Sequence, residues 1–290
     1  MNKPTSDKER AIFFEITNLC NHRCIHCCKQ WEDNSEIRTA SYETLDKIVD
    51  TPKSHLTISG GEPSLVKDKV FYLIEHEQKN ISINTNLTYW TKDDIDYFNS
   101  SSKISLNISV VSLQKDIYRK IVQADTYDKF LKNLTLVNKD NFITMVVNNI
   151  SLSSIKFTVK TLLLMGFHNI LVTPQVPTPN CSIDANKVMR IIKELHDEYK
   201  DISNITTQGY CNLEYCDHIC EAGIGRLLID TKGDVYPCAP IHRECKLGTI
   251  GTDIIVLKQR GQDFYYSYPS HLRDVCKGFL DSNNQVMVSF

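Results

Sequence analysis

Three thiols in one short segment carry the most chemical potential in this chain. Cys20-Asn21-His22-Arg23-Cys24-Ile25-His26-Cys27 places cysteines at C-x3-C-x2-C spacing within eight residues. Thiolates that close together can hold three irons of a [4Fe–4S] cluster and leave the fourth iron open for a chelating molecule. They also suit zinc, because His22 and His26 could complete a tetrahedral site. Cys28 breaks the spacing and reads as a neighbouring thiol.

The chain has eleven cysteines, and their distribution points to two sites. Four fall at Cys20, Cys24, Cys27 and Cys28, six run from Cys211 to Cys276, and only Cys181 lies between. An odd number, behind a polar MNKPTSDKER start with no signal-peptide core, argues for metal or redox chemistry over a disulfide scaffold. In the second group Cys220 is followed by twelve residues, Gly233, four residues and Cys238. Apolar residues within 226–230 and 235–236 flank Thr231-Lys232-Gly233-Asp234, with a glycine in the turn, so a β-hairpin brings the flanking thiols together. A zinc knuckle is the alternative for such a set.

The elements that must position the first site are a run of strands and helices. Strands are expected at 12–17, 55–59, 81–86, 104–110, 142–148 and 170–173, most of them near-continuous apolar or β-branched runs, as strands covered on both faces should be. Helices are expected at 42–49, 66–78, 92–98, 128–138, 154–165 and 185–199. Ser41 is placed to cap the first of these and Gly166 to end the fifth. Six β–α alternations predict an α/β protein with a parallel sheet, doubly wound or a partial barrel. The cysteine array then follows the first strand, at the end where ligands collect in such sheets. Ser59-Gly60-Gly61-Glu62-Pro63 follows the second. Its glycines let backbone approach closely, and Glu62 adds an acceptor for an amino group.

Cys20, Cys24 and Cys27 together with Gly60-Gly61-Glu62-Pro63 resemble the radical S-adenosylmethionine (SAM) superfamily. The resemblance covers residues 11–200 and implies a partial (β/α)6 TIM-type barrel. It also implies a [4Fe–4S] cluster whose open iron takes the amino and carboxylate groups of SAM. Thr85-Asn86 matches the family's Thr-Asn-Gly, with Leu87 where glycine is usual. Ser109, Arg119 and Asn148 stand where the family holds the ribose and carboxylate of SAM, and His26 stands where an aromatic residue is usual. The Cys220–Cys238 pattern resembles the SPASM and twitch extensions, which carry an auxiliary [4Fe–4S] cluster. The shorter twitch form fits better, because a denser run of cysteines is missing. Cys216, Cys220, Cys238 and Cys276 are its implied ligands, with Cys211 or Cys245 as substitutes for Cys216. The implied organisation is a barrel over residues 1–205 and a small cysteine-rich domain over 206–290.

The resemblance implies reductive cleavage of SAM to a 5′-deoxyadenosyl radical that abstracts hydrogen from a substrate. Two substrate classes compete: a ribosomally made peptide, to be cross-linked, oxidised or epimerised, and a small molecule such as an aminocyclitol. A non-catalytic iron–sulfur or zinc binding protein is the reading from a different class. Expected partners are the substrate, an external one-electron donor of flavodoxin or ferredoxin type, and a separate leader-peptide-binding protein. Lys and Arg total 33 against 35 acids, a net charge of −2, which gives no reason to expect nucleic acid or an anionic membrane. No apolar run reaches the length of a membrane span, so a cytoplasmic protein is expected.

Overall fold

The computed structural model describes residues 10–27, 36, 38–175, 185–206, 223, 225–237, 245–253, 256–257, 259–261 and 263. The chain alternates strands and helices from its first element. The strands are β1 (Ala11–Thr17), β2 (His55–Gly60), β3 (Ile81–Thr85), β4 (Ile104–Ser109), β5 (Phe142–Val147), β6 (Asn169–Pro174) and β7 (Asn204–Thr206). Between them run α1 (Tyr42–Asp50), α2 (Lys67–His76), α3 (Lys92–Ser100), α4 (Lys115–Val122), α5 (Tyr127–Leu136), α6 (Ile155–Leu164) and α7 (Ala185–Tyr199). Strands β8 (Arg226–Ile229), β9 (Asp234–Tyr236) and β10 (Gly248–Thr249) complete one sheet in the order β10-β9-β8-β1-β2-β3-β4-β5-β6-β7. All pairings from β8 through β7 are parallel, so the carboxyl ends of these strands share one edge. The result is the α/β architecture that the alternation predicts, open between β7 and the hairpin side.

Local sequence explains most element limits. Ser41 caps α1, its hydroxyl accepting from the Thr44 N–H at 3.2 Å. Thr91 and Asp94 form a reciprocal capping box on α3. Gly166 follows α6 at φ +94°, a left-handed stop that glycine adopts without strain. The 226–236 hairpin forms as expected, with β8 antiparallel to β9 and Gly233 at φ +83°.

Three features depart from the sequence reading. A helix, α4, stands between β4 and α5. The three-residue β7 is too short to announce itself in sequence. The hairpin extends the barrel sheet, because β8 also pairs in parallel with β1 from Ala11↔Arg226 to Phe14↔Ile229.

Strands β3, β4 and β5 are also not apolar on both faces. Ile81, Ile83, Leu106, Ile108, Ile143 and Met145 point outward under the helices and are fully or almost fully buried. Each such burial contributes on the order of 1.5–3 kcal/mol. Their neighbours Ser82, Asn84, Ser105, Asn107 and Thr144 point inward and are half-buried. Asn84 Nδ2 donates to Ser59 Oγ at 3.3 Å, Asn107 Nδ2 to Asn84 Oδ1 at 2.9 Å, and Thr144 Oγ1 to Asn107 Oδ1. One polar row therefore crosses four strands inside the barrel. Period-two alternation was present in these strands, but the β-branched outer residues masked it.

Candidate functional site at the carboxyl end of the barrel

The cysteine loop leaves β1 and is held from three sides. On one side it docks on the C-terminus of α4: the Arg23 and Ile25 N–H groups donate to the Val122 and Ile121 carbonyls, both at 3.0 Å. The last carbonyls of a helix have no partner within it, so the loop supplies donors that α4 lacks. His22 is buried, its Nε2 lies 2.8 Å from Thr126 Oγ1, and its ring meets Tyr118 edge-on. That nitrogen is engaged in a hydrogen bond with the Thr126 hydroxyl.

On the second side the loop lies against the Gly-Gly turn. Gly61 N donates to Thr17 O at 2.7 Å and Glu62 N to Leu19 O at 2.8 Å. A Cβ on Gly60, which has φ +144°, would sit 2.3 Å from Thr17 O, and one on Gly61 would sit 2.2 Å from Leu19 O. Both glycines are thus required for the close approach of β2 to the chain that carries Cys20. The sequence reading assigned this closeness to a bound molecule; the chain's own backbone already demands it.

On the third side lies the loop after β3. Asn86 Nδ2 donates to Asn21 Oδ1, and Asn21 Nδ2 donates to Thr88 Oγ1, both at 2.8 Å. Glu62 braces the same loop. Its buried carboxylate accepts from Ser64 N at 3.1 Å, Thr85 Oγ1 at 2.7 Å and Asn86 N at 2.7 Å. Burial pushes its pKa up, against the pull of these hydrogen bonds. Leu87, at the usual glycine position, adopts φ 67° and is fully buried. Asn133 Nδ2 holds that turn by donating to the carbonyls of Leu87 at 2.8 Å and Trp90 at 3.0 Å. Asn133 had no sequence signal of its own, since an amide on α5 reads as an ordinary helix-surface residue.

The remaining site candidates have different surroundings. Ser109 is exposed at the end of β4. Arg119 forks onto Asp125, Nε at 3.0 Å and a terminal nitrogen at 2.6 Å, with both side chains largely exposed. Asn148 is fully buried just beyond β5, and its Oδ1 accepts from Ile150 N at 2.9 Å and Ser151 N at 3.0 Å. Its Nδ2, a buried donor, has no hydrogen-bond partner. His26 Nδ1 is likewise buried without one. Cys20 reaches the surface, yet partial desolvation, with the Glu62 charge and Cys27 adding to it, raises its pKa to about 11; burial drives that of Cys24 higher still, reinforced by its neighbouring thiols. Thiols crowded this way are poor anions until a cationic centre compensates them. Cys245 is half-buried and packs against the core. Cys28, Cys181, Cys211, Cys216, Cys220, Cys238 and Cys276 lie outside the described residues.

Proteins of known kind share parts of this arrangement. A GTP 3′,8-cyclase of Nautilia profundicola is 27% identical over 139 residues, 43% of this chain and 43% of the cyclase. The chain thus spans less than half the length of that curated relative. SuiB of Streptococcus suis, solved with S-adenosylmethionine, superimposes with a TM-score of 0.71 at 19% identity, covering 90% of this chain and 66% of SuiB. Native anSMEcpe with bound AdoMet superimposes at a TM-score of 0.72 with 17% identity, covering 97% of this chain and 93% of that one. At such identities these two show a shared fold. The sequence pattern of the Radical SAM superfamily matches residues 14–162, just over half of the chain, and spans the cysteine loop, the Gly-Gly turn and the β3 loop. A barrel that ties its C-x3-C-x2-C loop directly to those two turns, under a family match of that extent, belongs to the radical SAM superfamily.

Proposed function

We propose that this chain cleaves SAM reductively and modifies a ribosomally made peptide by hydrogen abstraction. The observation that carries the reading is the binding of the cysteine loop to both neighbouring strand ends, through Gly61, Glu62, Asn86 and Asn21. Cys20, Cys24 and Cys27 would hold the [4Fe–4S] cluster. When bound, the cluster and SAM supply an electron and a hydrogen-abstracting 5′-deoxyadenosyl group.

The protein's part is to bind, orient and exclude water. Gly60 to Pro63 would line the methionine end of SAM, with Asn86, Ser109 and Asn148 along its ribose side. The unpartnered Nδ2 of Asn148 supports this, since a buried donor calls for an acceptor from a ligand. Arg119 would take a SAM carboxylate by exchanging it for Asp125, and an exposed pair of this kind is weak enough to exchange. Buried Leu87 and Val147 keep solvent from the ends of β3 and β5. Cys216, Cys220, Cys238 and Cys276 remain the proposed ligands of an auxiliary cluster that accepts the second electron, on the strength of the twitch-like pattern. An external flavodoxin or ferredoxin type protein would reduce the first cluster.

The peptide reading draws support from shape. SuiB has been solved with its precursor peptide SuiA and anSMEcpe with bound peptides, and the latter fold spans nearly this whole chain. The polar row Ser59–Asn84–Asn107–Thr144 suits a hydroxyl-rich small molecule as well, and this favours the aminocyclitol type as the second reading.

Anaerobic reconstitution with iron and sulfide, then iron counting and a SAM-cleavage assay under dithionite, tests the core claim. Wild type is expected to form 5′-deoxyadenosine, and the Cys20→Ala, Cys24→Ala, Cys27→Ala triple variant to form none while losing about four irons. Bound zinc with no 5′-deoxyadenosine in wild type would sink the proposal. Stimulation of cleavage by short peptides, and not by aminocyclitols or GTP, would separate the substrate classes.

A further inference from the structure

Three side chains next to the candidate SAM site close a ring of hydrogen bonds. Asn86 Nδ2 donates to Asn21 Oδ1 at 2.8 Å, and Asn21 Nδ2 donates to Thr88 Oγ1 at 2.8 Å. Thr88 Oγ1 donates in turn to Asn86 Oδ1 at 2.7 Å. Each member gives one hydrogen bond and takes one around the ring, an arrangement in which neighbouring bonds polarise one another. Thr88 is fully buried, while Asn21 and Asn86 are half-buried toward the mouth of the barrel.

The direction of the ring is fixed by its surroundings. The Thr88 backbone N–H also reaches Asn86 Oδ1, at 3.0 Å. A backbone N–H can only donate, so this atom of Asn86 must be the carbonyl oxygen, and the amide nitrogen must face Asn21. The Asn86 oxygen is then saturated by two donors. One N–H of the amide remains, and it is the open valence of that side chain. A reversed amide would turn an oxygen toward the ligand and oppose the nitrogen to a backbone N–H.

We infer that Asn21 and Thr88 are positioning residues, which lock Asn86 as a hydrogen-bond donor toward an oxygen acceptor of SAM, its carboxylate or ribose. This rests on the reading of Asn86 as a SAM contact. Asn21 directly follows Cys20, so the ring also ties the register of the first proposed cluster ligand to that donor. Loss of the ring leaves the Asn86 amide held only by the Thr88 backbone N–H, so its nitrogen is less firmly aimed and affinity for SAM falls without loss of the cluster. Thr88→Val keeps the shape and removes the hydroxyl, whereas Thr88→Ser keeps the hydroxyl.

The test uses the full chain, reconstituted anaerobically, with labelled SAM in equilibrium dialysis, iron counting, and electron paramagnetic resonance of the reduced cluster with and without SAM. Asn86→Ala and Thr88→Val are each expected to weaken SAM binding about tenfold at unchanged iron content, with a smaller spectral change on SAM addition. Thr88→Ser is expected to stay within about twofold of wild type. If Asn86→Ala weakens binding and Thr88→Val does not, or if Thr88→Ser is as weak as Thr88→Val, the ring has no positioning role. If Asn86→Ala itself binds as wild type, the assignment of Asn86 to SAM fails, and the inference with it. Should Thr88→Val not fold, Asn21→Ala opens the same ring from the cysteine side and is judged by the same criterion.

Discussion

The two ends of the barrel are built from different polar groups. At the amino ends of the strands, lysines fold back onto helix termini. Lys53, just before β2, donates to the carbonyls of Ile48 at 2.8 Å, Val49 at 3.1 Å and Thr51 at 2.9 Å, and pairs with Glu77 at 2.7 Å. Lys103, before β4, donates to the carbonyls of Ile74 and Glu77, and Lys139, before β5, to those of Leu134 and Thr135. Helix carbonyls that would lack partners thus receive cations, which the helix dipole favours. Glu77 Oε1 meanwhile accepts from Gln78 N and Lys79 N, both at 2.9 Å. At the carboxyl ends, by contrast, Asn148 Nδ2 and His26 Nδ1 are buried without partners, and thiols crowd one another. The first end is closed chiefly by lysine contacts to helix carbonyls, which serve stability, whereas the second gathers buried nitrogens and thiols around the candidate site.

The largest expected effect that would break this contrast is at the closed end. Lys53→Ala leaves the Glu77 carboxylate buried without its cation and is expected to cost about 3–5 kcal/mol in urea unfolding. SAM affinity per folded molecule should stay unchanged; a specific loss of SAM binding would show that the two ends are coupled.

Gly61→Ala acts between structure and site. Its methyl group would meet Leu19 O at 2.2 Å, so the cysteine loop must move. A stability loss of about 1–3 kcal/mol, together with reduced iron uptake, is expected. Full iron content and unchanged melting would mean that the loop is not held by that approach.

Asn148→Asp sharpens the comparison most finely. It keeps the oxygen that Ile150 N and Ser151 N use and removes the unpartnered donor. Burying a carboxylate should lower stability by about 1–3 kcal/mol, while SAM binding per folded molecule weakens by about fivefold to tenfold. An unchanged dissociation constant would leave the open donor without a ligand role.

Much of this was legible in the chain itself. The six strands predicted up to residue 173 and their six helices appear within a few residues of their expected limits, because caps such as Ser41 and stops such as Gly166 act locally. The cysteine spacing and the Gly-Gly turn were visible for the same reason: each is a short segment whose chemistry does not depend on distant residues. What sequence missed was either brief, as with β7, or long-range, as with the parallel pairing of β8 to β1.

By itself, then, the sequence determined the α/β alternation, the edge at which the chemistry gathers and the thiols that could carry it. Only the tertiary structure decided why two glycines stand at that turn, since their crowding partners Thr17 and Leu19 lie some forty residues away in the chain. It also decided that Glu62 braces the β3 loop, that Arg119 rests on Asp125, and that Asn21, Thr88 and Asn86 share one ring. Hydrogen-bond direction and steric contact are properties of pairs brought together by folding, and no residue carries them alone.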